Sequence, residues 1–95
     1  MSQISAIPRA ERIGALLRAH FAPTSLEVVD NSASHAGHTG ARPGGETHYT
    51  VKIVTPAFAG LNRVARSRAV HAALAHEFAT GLHALSLKLL APNEA

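Results

Sequence analysis

Seven histidines and no cysteine bound the chemistry open to this 95-residue chain. Imidazole is a proton switch near neutral pH and the commonest metal ligand. Without cysteine there is no disulfide framework, no thiolate nucleophile and no all-thiolate zinc or iron–sulfur site. A soft metal centre would need thiolates from a second molecule. The histidines are His20, His35, His38, His48, His71, His76 and His83. His35 and His38 lie in a glycine-rich stretch that can carry one imidazole to another, and two imidazoles make half of a four-coordinate site.

Three local patterns suggest other chemistry. His76-Glu77 begins like the helical zinc-protease motif, but the second histidine would fall at position 80, which is Thr80. Without two histidines one turn apart the metal is not held. Gly37-His38-Thr39-Gly40 has the spacing of the phosphate-clamping loop of KH nucleic-acid domains, yet it falls between two strands rather than between two helices. Arg63, Arg66 and Arg68, with His71, give a helix a basic first half, which fits either phosphate contacts or a solvated face. No set of base, nucleophile and metal ligands marks a hydrolase, so an enzyme is not expected.

The elements that must position these groups follow from periodicity. Residues 8–21 read as an amphipathic helix with Ala10, Ile13, Leu16, Leu17 and Phe21 on one face and Arg9, Arg12 and Arg18 mostly off it. Pro8 suits a first helical turn, and Pro23 prevents continuation. Residues 26–30 read as a strand. Residues 31–46 carry Gly37, Gly40, Gly44 and Gly45 and read as a loop, expected to be mobile over 32–46. Residues 48–55 form the clearest strand, with Tyr49, Val51 and Ile53 on one face and His48, Thr50 and Lys52 on the other. A second helix is expected over 63–80, buried through Val70, Ala73, Leu74 and Phe78, with Gly81 as its C-terminal cap. A last strand over 82–90 places His83, Leu85, Leu87 and Leu89 on one face. A lone histidine on an apolar face is ordinarily a core residue. Beside a histidine-bearing loop it is also a ligand candidate.

The order α-β-β-α-β predicts one α+β domain over 1–95, ordered from about 8 to 91. The first two strands pair antiparallel. The helical crossover makes the next pair parallel and right-handed, so a three-stranded mixed sheet has helices on one face. The apolar fraction of 46% argues against disorder. With four aromatic residues, Phe21, Tyr49, Phe58 and Phe78, the core is expected to be aliphatic. A net charge of +3 permits nucleic-acid binding without demanding it. Neither a membrane-spanning run nor a secretion signal is read, so the expected location is cytoplasmic.

Five segments in order resemble one family: Leu26-Glu27-Val28-Val29-Asp30-Asn31-Ser32, Gly45-Glu46-Thr47-His48-Tyr49-Thr50-Val51, Phe58-Ala59-Gly60, Arg66-Ser67-Arg68-Ala69-Val70-His71-Ala72-Ala73-Leu74-Ala75, and Leu82-His83-Ala84-Leu85-Ser86-Leu87. From about Arg9 to Leu90 the chain resembles a BolA protein. The resemblance implies a fold similar to type II KH domains, without the KH clamp. It also implies pairing with a monothiol glutaredoxin and a [2Fe–2S] cluster shared with that partner and glutathione, in iron–sulfur trafficking or iron sensing. The isolated chain would then bind no cofactor and stand as a monomer or weak homodimer. In that family the histidine of the final Leu-His-Ala-Leu segment, here His83, is the constant ligand. The loop ligand falls on His35, with His38 as competitor, and His48 lies beside the site or substitutes for it. The family also implies a second role, a DNA-binding transcriptional regulator of stress response and cell morphology, which would use Arg63, Arg66 and Arg68. Here Ser67 stands where the family often has the middle histidine of Arg-His-Arg.

Overall fold

The computed structural model describes residues 7–31 and 48–95. The expected mobile loop, 32–46, lies outside the described residues. Helix α1 spans Arg9–Phe21, with Glu11 in its first turn and Arg18 and His20 in its last, each complementing the helix dipole. Pro8 occupies the N-cap position, and Ala22 ends the helix in a left-handed conformation, its amide donating to the Arg18 carbonyl.

Strand β1 (Ser25–Asp30) pairs antiparallel with β2 (His48–Val54), which pairs parallel with β3 (Ala84–Leu90). The order β1-β2-β3 puts β2 in the centre. As expected, this is a mixed three-stranded sheet with both long helices on one face. Tyr49, Val51 and Ile53 point into the core, while Thr50 and Lys52 are exposed on the opposite face. A 3₁₀ turn over Pro56–Phe58 follows β2. Buried Thr55 ties that turn to α1, its hydroxyl donating to the Phe21 carbonyl at 2.6 Å and accepting from the Ala57 amide at 3.1 Å.

The core is largely aliphatic, as expected, but two aromatic rings sit at its centre. Tyr49 and Phe58 are its largest fully buried side chains, surrounded by Ile13, Leu17, Val70 and Leu74, and Phe21 packs on Phe58 with ring centroids 5.3 Å apart. Two well-placed rings supply volume that several small aliphatic groups would otherwise have to fill.

The second helix is also not continuous. Helix α2 runs Arg63–Ala73, capped by the Asn62 side chain, which accepts from the Ala65 amide at 2.8 Å. At Leu74 the backbone leaves helical geometry (φ −104°, ψ 15°), and the five-residue α3 follows over Ala75–Ala79. The break keeps Leu74 buried and carries Glu77 and Thr80 to α1. There Arg9, expected outside the buried stripe, is 8% exposed. Its guanidinium donates to Glu77 Oε1 at 2.7 Å and to Thr80 Oγ1 at 3.1 Å. Arg12 donates to both Glu77 oxygens. Among the described residues no helix is long and apolar enough to cross a membrane.

Candidate metal centre

Because β2 and β3 run parallel, both start at the same end of the sheet. The antiparallel β1 ends there. His48 opens β2 opposite Ala84, and the Asn31 amide donates to the His48 carbonyl at 2.8 Å. His48 is 9% exposed. Immediately before β3, Gly81 takes a φ of +131°, a backbone region L side chains rarely adopt. Leu82 then turns into the core, its amide donating to the Glu77 carbonyl at 2.9 Å. His83 therefore sits exposed just outside the strand. This corrects the expectation of a strand from residue 82 with His83 among the leucines. Leu85, Leu87 and Leu89 pack on the core, and His83 turns instead toward His48.

The two rings lie 5.2 Å apart between centroids, inclined by 54°. Two imidazoles on one tetrahedral ion, at bond lengths of about 2.0–2.1 Å, hold their centroids roughly 5 Å apart, so the spacing fits shared ligation. A cleft of about 100 Å³ beside them is lined by Asn31, His48, Tyr49, Ala84 and Ser86. His35 and His38 lie outside the described residues. The other histidines are spread over the helices. His20 ends α1. His71 accompanies Phe78, with ring centroids 5.2 Å apart, and its Nδ1 lies 3.0 Å from the Ser67 carbonyl. His76 is exposed on α3. Among the described residues no three metal-binding side chains gather, and the corner brings two imidazoles together.

The arginines separate in a way their spacing did not reveal. Arg66 is turned inward. It donates to Glu94 Oε1 at 2.6 Å and Oε2 at 3.0 Å, to the Leu89 carbonyl at 3.0 Å and to the Leu61 carbonyl at 2.9 Å, and it lies over the Phe58 ring. The hydrogen bond to Glu94 raises the Arg66 pKa above its usual value, and the same bond, with help from the Ala91 amide, lowers that of Glu94 to about 2. Arg63 and Arg68 are exposed. Glu77 behaves differently. Burial alone would raise its pKa, but the Arg12 hydrogen bonds and charge, reinforced by Arg9, hold it below the usual carboxylate value. Sequence reading missed both carboxylates, because their arginine partners lie far away along the chain. The one local sign was an acid at position 77 within an otherwise buried helical stripe.

Comparison with known proteins agrees with this architecture. The family model for a BolA-like protein matches residues 17–94. The chain is 44% identical over 88 residues to Protein BOLA1, chloroplastic, of Arabidopsis thaliana, covering 90% of this chain and 55% of that relative, so it spans about half of that protein's length. It is 42% identical over 77 residues to the DNA-binding transcriptional regulator BolA of Escherichia coli, covering 81% of this chain and 70% of that protein. The solved BolA domain of SufE1 from Arabidopsis thaliana superposes with a TM-score of 0.83 at 41% identity, covering 92% of this chain and 95% of that one. With its α-β-β-α-β order, its final Leu-His-Ala-Leu segment and these matches, the chain belongs to the BolA family.

Proposed function

We propose that this protein is a non-enzymatic binding module that pairs with a monothiol glutaredoxin and holds one side of a shared [2Fe–2S] cluster, in iron–sulfur trafficking or iron sensing. The observation that carries the reading is the His48–His83 pair, two imidazoles side by side at an accessible sheet corner of a chain with no cysteine. His83 is the exposed ligand. His48 stands ready as its neighbour, and His35, with His38 as competitor, is the ligand that the family resemblance supplies. The thiolates come from the glutaredoxin cysteine and glutathione, and the cluster contributes one-electron chemistry at a potential raised by nitrogen ligation. The chain's own part is to present neutral imidazole nitrogen, which makes retention depend on pH. Such a half-site suits transfer or sensing better than storage.

The test combines the protein with a monothiol glutaredoxin, glutathione, iron and sulfide and records visible absorption and circular dichroism. A mixed-ligand spectrum distinct from that of the glutaredoxin homodimer is expected, and His83→Ala should alter it. An unchanged spectrum in that variant removes His83 as ligand, and failure of the two proteins to associate at all removes the module reading.

A second reading, a DNA-binding regulator of stress response and cell morphology, has one specific support, the DNA-binding transcriptional role for which the Escherichia coli relative is named. Its contacts would come from the exposed Arg63 and Arg68, since Arg66 is engaged internally. Sequence-selective binding, weakened by Arg63→Ala and Arg68→Ala and steeply reduced by salt, is what that reading requires.

A further inference from the structure

Helix α2 and the outer strand β3 leave a groove of about 390 Å³ between them, lined by Arg63, Ser67, Leu87, Lys88, Leu89 and Leu90. It lies at the far end of the sheet from the histidine corner, because β3 runs away from that corner and ends at Leu90. A second cleft shares Arg63, Leu89 and Leu90 with it and continues past Leu61 to the Arg66–Glu94 pair. The leucines make an apolar lining, and the charge on it is not balanced. Arg66 and Glu94 neutralise one another. Arg63 and Lys88 are exposed, and neither makes an ion pair among the described residues. Each stands where the local field opposes it. Arg63 opens α2, at the positive end of the helix dipole, with no acid in the first turn. Lys88 is in register with Lys52, and the acid of that row, Glu27, stands on the far side of Lys52. Two uncompensated cations on one groove favour a doubly charged anion.

Neutral donors converge on the same place. Ser67, one turn beyond Arg63, adds a hydroxyl to the lining. The backbone of β3 adds amides. The Leu90 carbonyl is turned inward, accepting from the Thr55 amide at 3.0 Å, and the Leu89 carbonyl is turned outward, accepting from Arg66 at 3.0 Å. Alternation along the strand therefore turns the Leu87 and Leu89 amides outward as well, on the α2 side. Among the described residues no strand lies beyond β3 to take them up. Guanidinium, ammonium, hydroxyl and backbone N–H together are the donor set that recognises phosphate.

We propose that the α2–β3 groove binds a small organic phosphate monoester. Its phosphate lies between Arg63 and Lys88, with the Ser67 hydroxyl and the Leu87 and Leu89 amides as hydrogen-bond donors. Its organic body lies along Leu89, Leu90 and Leu61. A monoester carries a charge of about −1.5 to −2 at neutral pH, which matches the two free cations. A nucleic-acid backbone brings only one charge per phosphate, and neutralising several of them takes a longer basic track than this groove offers. The volume is that of small-molecule sites, about 300–1,000 Å³. This inference does not rest on the histidine corner, and it needs nothing from Arg68.

The test follows the amide chemical shifts of the isotopically labelled full chain at fixed ionic strength. The probes are adenosine 5′-monophosphate, inorganic phosphate, adenosine, and an oligothymidylate without a terminal phosphate. Adenosine monophosphate should give saturable shifts confined to residues 61–67 and 86–90. Inorganic phosphate should move the same amides with weaker affinity, because it has no body to lie on the leucines, and adenosine should move none. Arg63→Ala and Lys88→Ala should each weaken the monophosphate about tenfold, and Ser67→Ala about threefold. Arg63 and Lys88 are exposed, so their variants keep the fold, which thermal melts check. Arg18→Ala, which removes an exposed arginine on α1 outside the groove, should leave the affinity unchanged. Absence of a saturable response at about 5 mM monophosphate overturns the proposal. So does an equal response to adenosine, a response that survives Arg63→Ala, an equal loss in Arg18→Ala, or shifts spread beyond the groove. Tighter binding of the oligothymidylate than of the monophosphate also overturns it, and would make the groove a track for a nucleic-acid strand.

Discussion

Two regions of this molecule gather ionisable side chains, and they are built in opposite ways. At the junction of α1 and α3, Glu77 is 2% exposed, and both of its oxygens are taken by Arg9 and Arg12. At the β2–β3 corner, His48 and His83 face one another, and His83 is open to solvent. The first region is saturated: every strong acceptor on the carboxylate is engaged, and a new partner would have to displace an arginine. The second leaves the His83 ring open to solvent. The contrast separates charged groups that hold elements together from an imidazole that faces solvent. It also explains why the arginines split, since Arg66 belongs with the clamps and Arg63 and Arg68 do not.

The largest expected effect comes from breaking the clamp. Glu77→Ala leaves Arg9 buried beside a lost counter-charge, and unfolding in urea should show a loss of about 3 kcal/mol or more. Any folded protein that remains should still give the mixed-ligand cluster spectrum, and loss of both at once would mean that the two regions are not separate. Acid should probe the same clamp. The pKa of Glu77 is lowered on folding, so its contribution is complete above the unfolded value near 4.5 and is lost as pH falls through the folded one. The fall in melting temperature below pH 4.5 should accordingly be shallower in Glu77→Gln than in the parent. Glu94, held at about 2, adds to the parent's loss between 4.5 and that value, and Glu94→Gln should remove that part alone.

Next in size is the corner itself. His48→Ala removes a mostly buried ring at the start of the central strand and should cost about 1 kcal/mol. His83→Ala removes an exposed one and should change stability by no more than about 0.5 kcal/mol, as surface substitutions usually do, while its effect on the cluster spectrum is the larger of the two. Thermal melts of the two variants beside their spectra test that inversion. If His83→Ala unfolds the protein, the exposed ring has a structural role and the contrast between the regions collapses. Arg66→Ala loses its bonds to Glu94 and to the Leu89 and Leu61 carbonyls and should lower the melting temperature more than His83→Ala, whose effect on stability is the smallest expected.

Much of this was legible in the residues. Alternation in 48–54 set the two faces of β2, and three- and four-residue spacing set the buried face of α1. The helical stretch between the last two strands predicted their parallel pairing, because a crossover of that length returns the chain in the same direction. The five family segments, with His83 in the last of them, are likewise visible in the sequence alone. Less legible were the break at Leu74 and the clamp it creates, since Arg9 and Glu77 meet across 68 residues and no local pattern encodes that contact.

The sequence by itself determined that these 95 residues carry seven imidazoles and no thiolate. Those are facts of composition, and folding does not alter them. Tertiary structure decided which described imidazoles meet and which arginine is already engaged. His48 and His83 are far apart along the chain, and they become neighbours because parallel strands begin at the same end of the sheet, while the positive φ at Gly81 leads Leu82 inward and leaves His83 outside. Periodicity assigns a residue to a face of its own element. Only the packing of one element on another brings two such faces into contact.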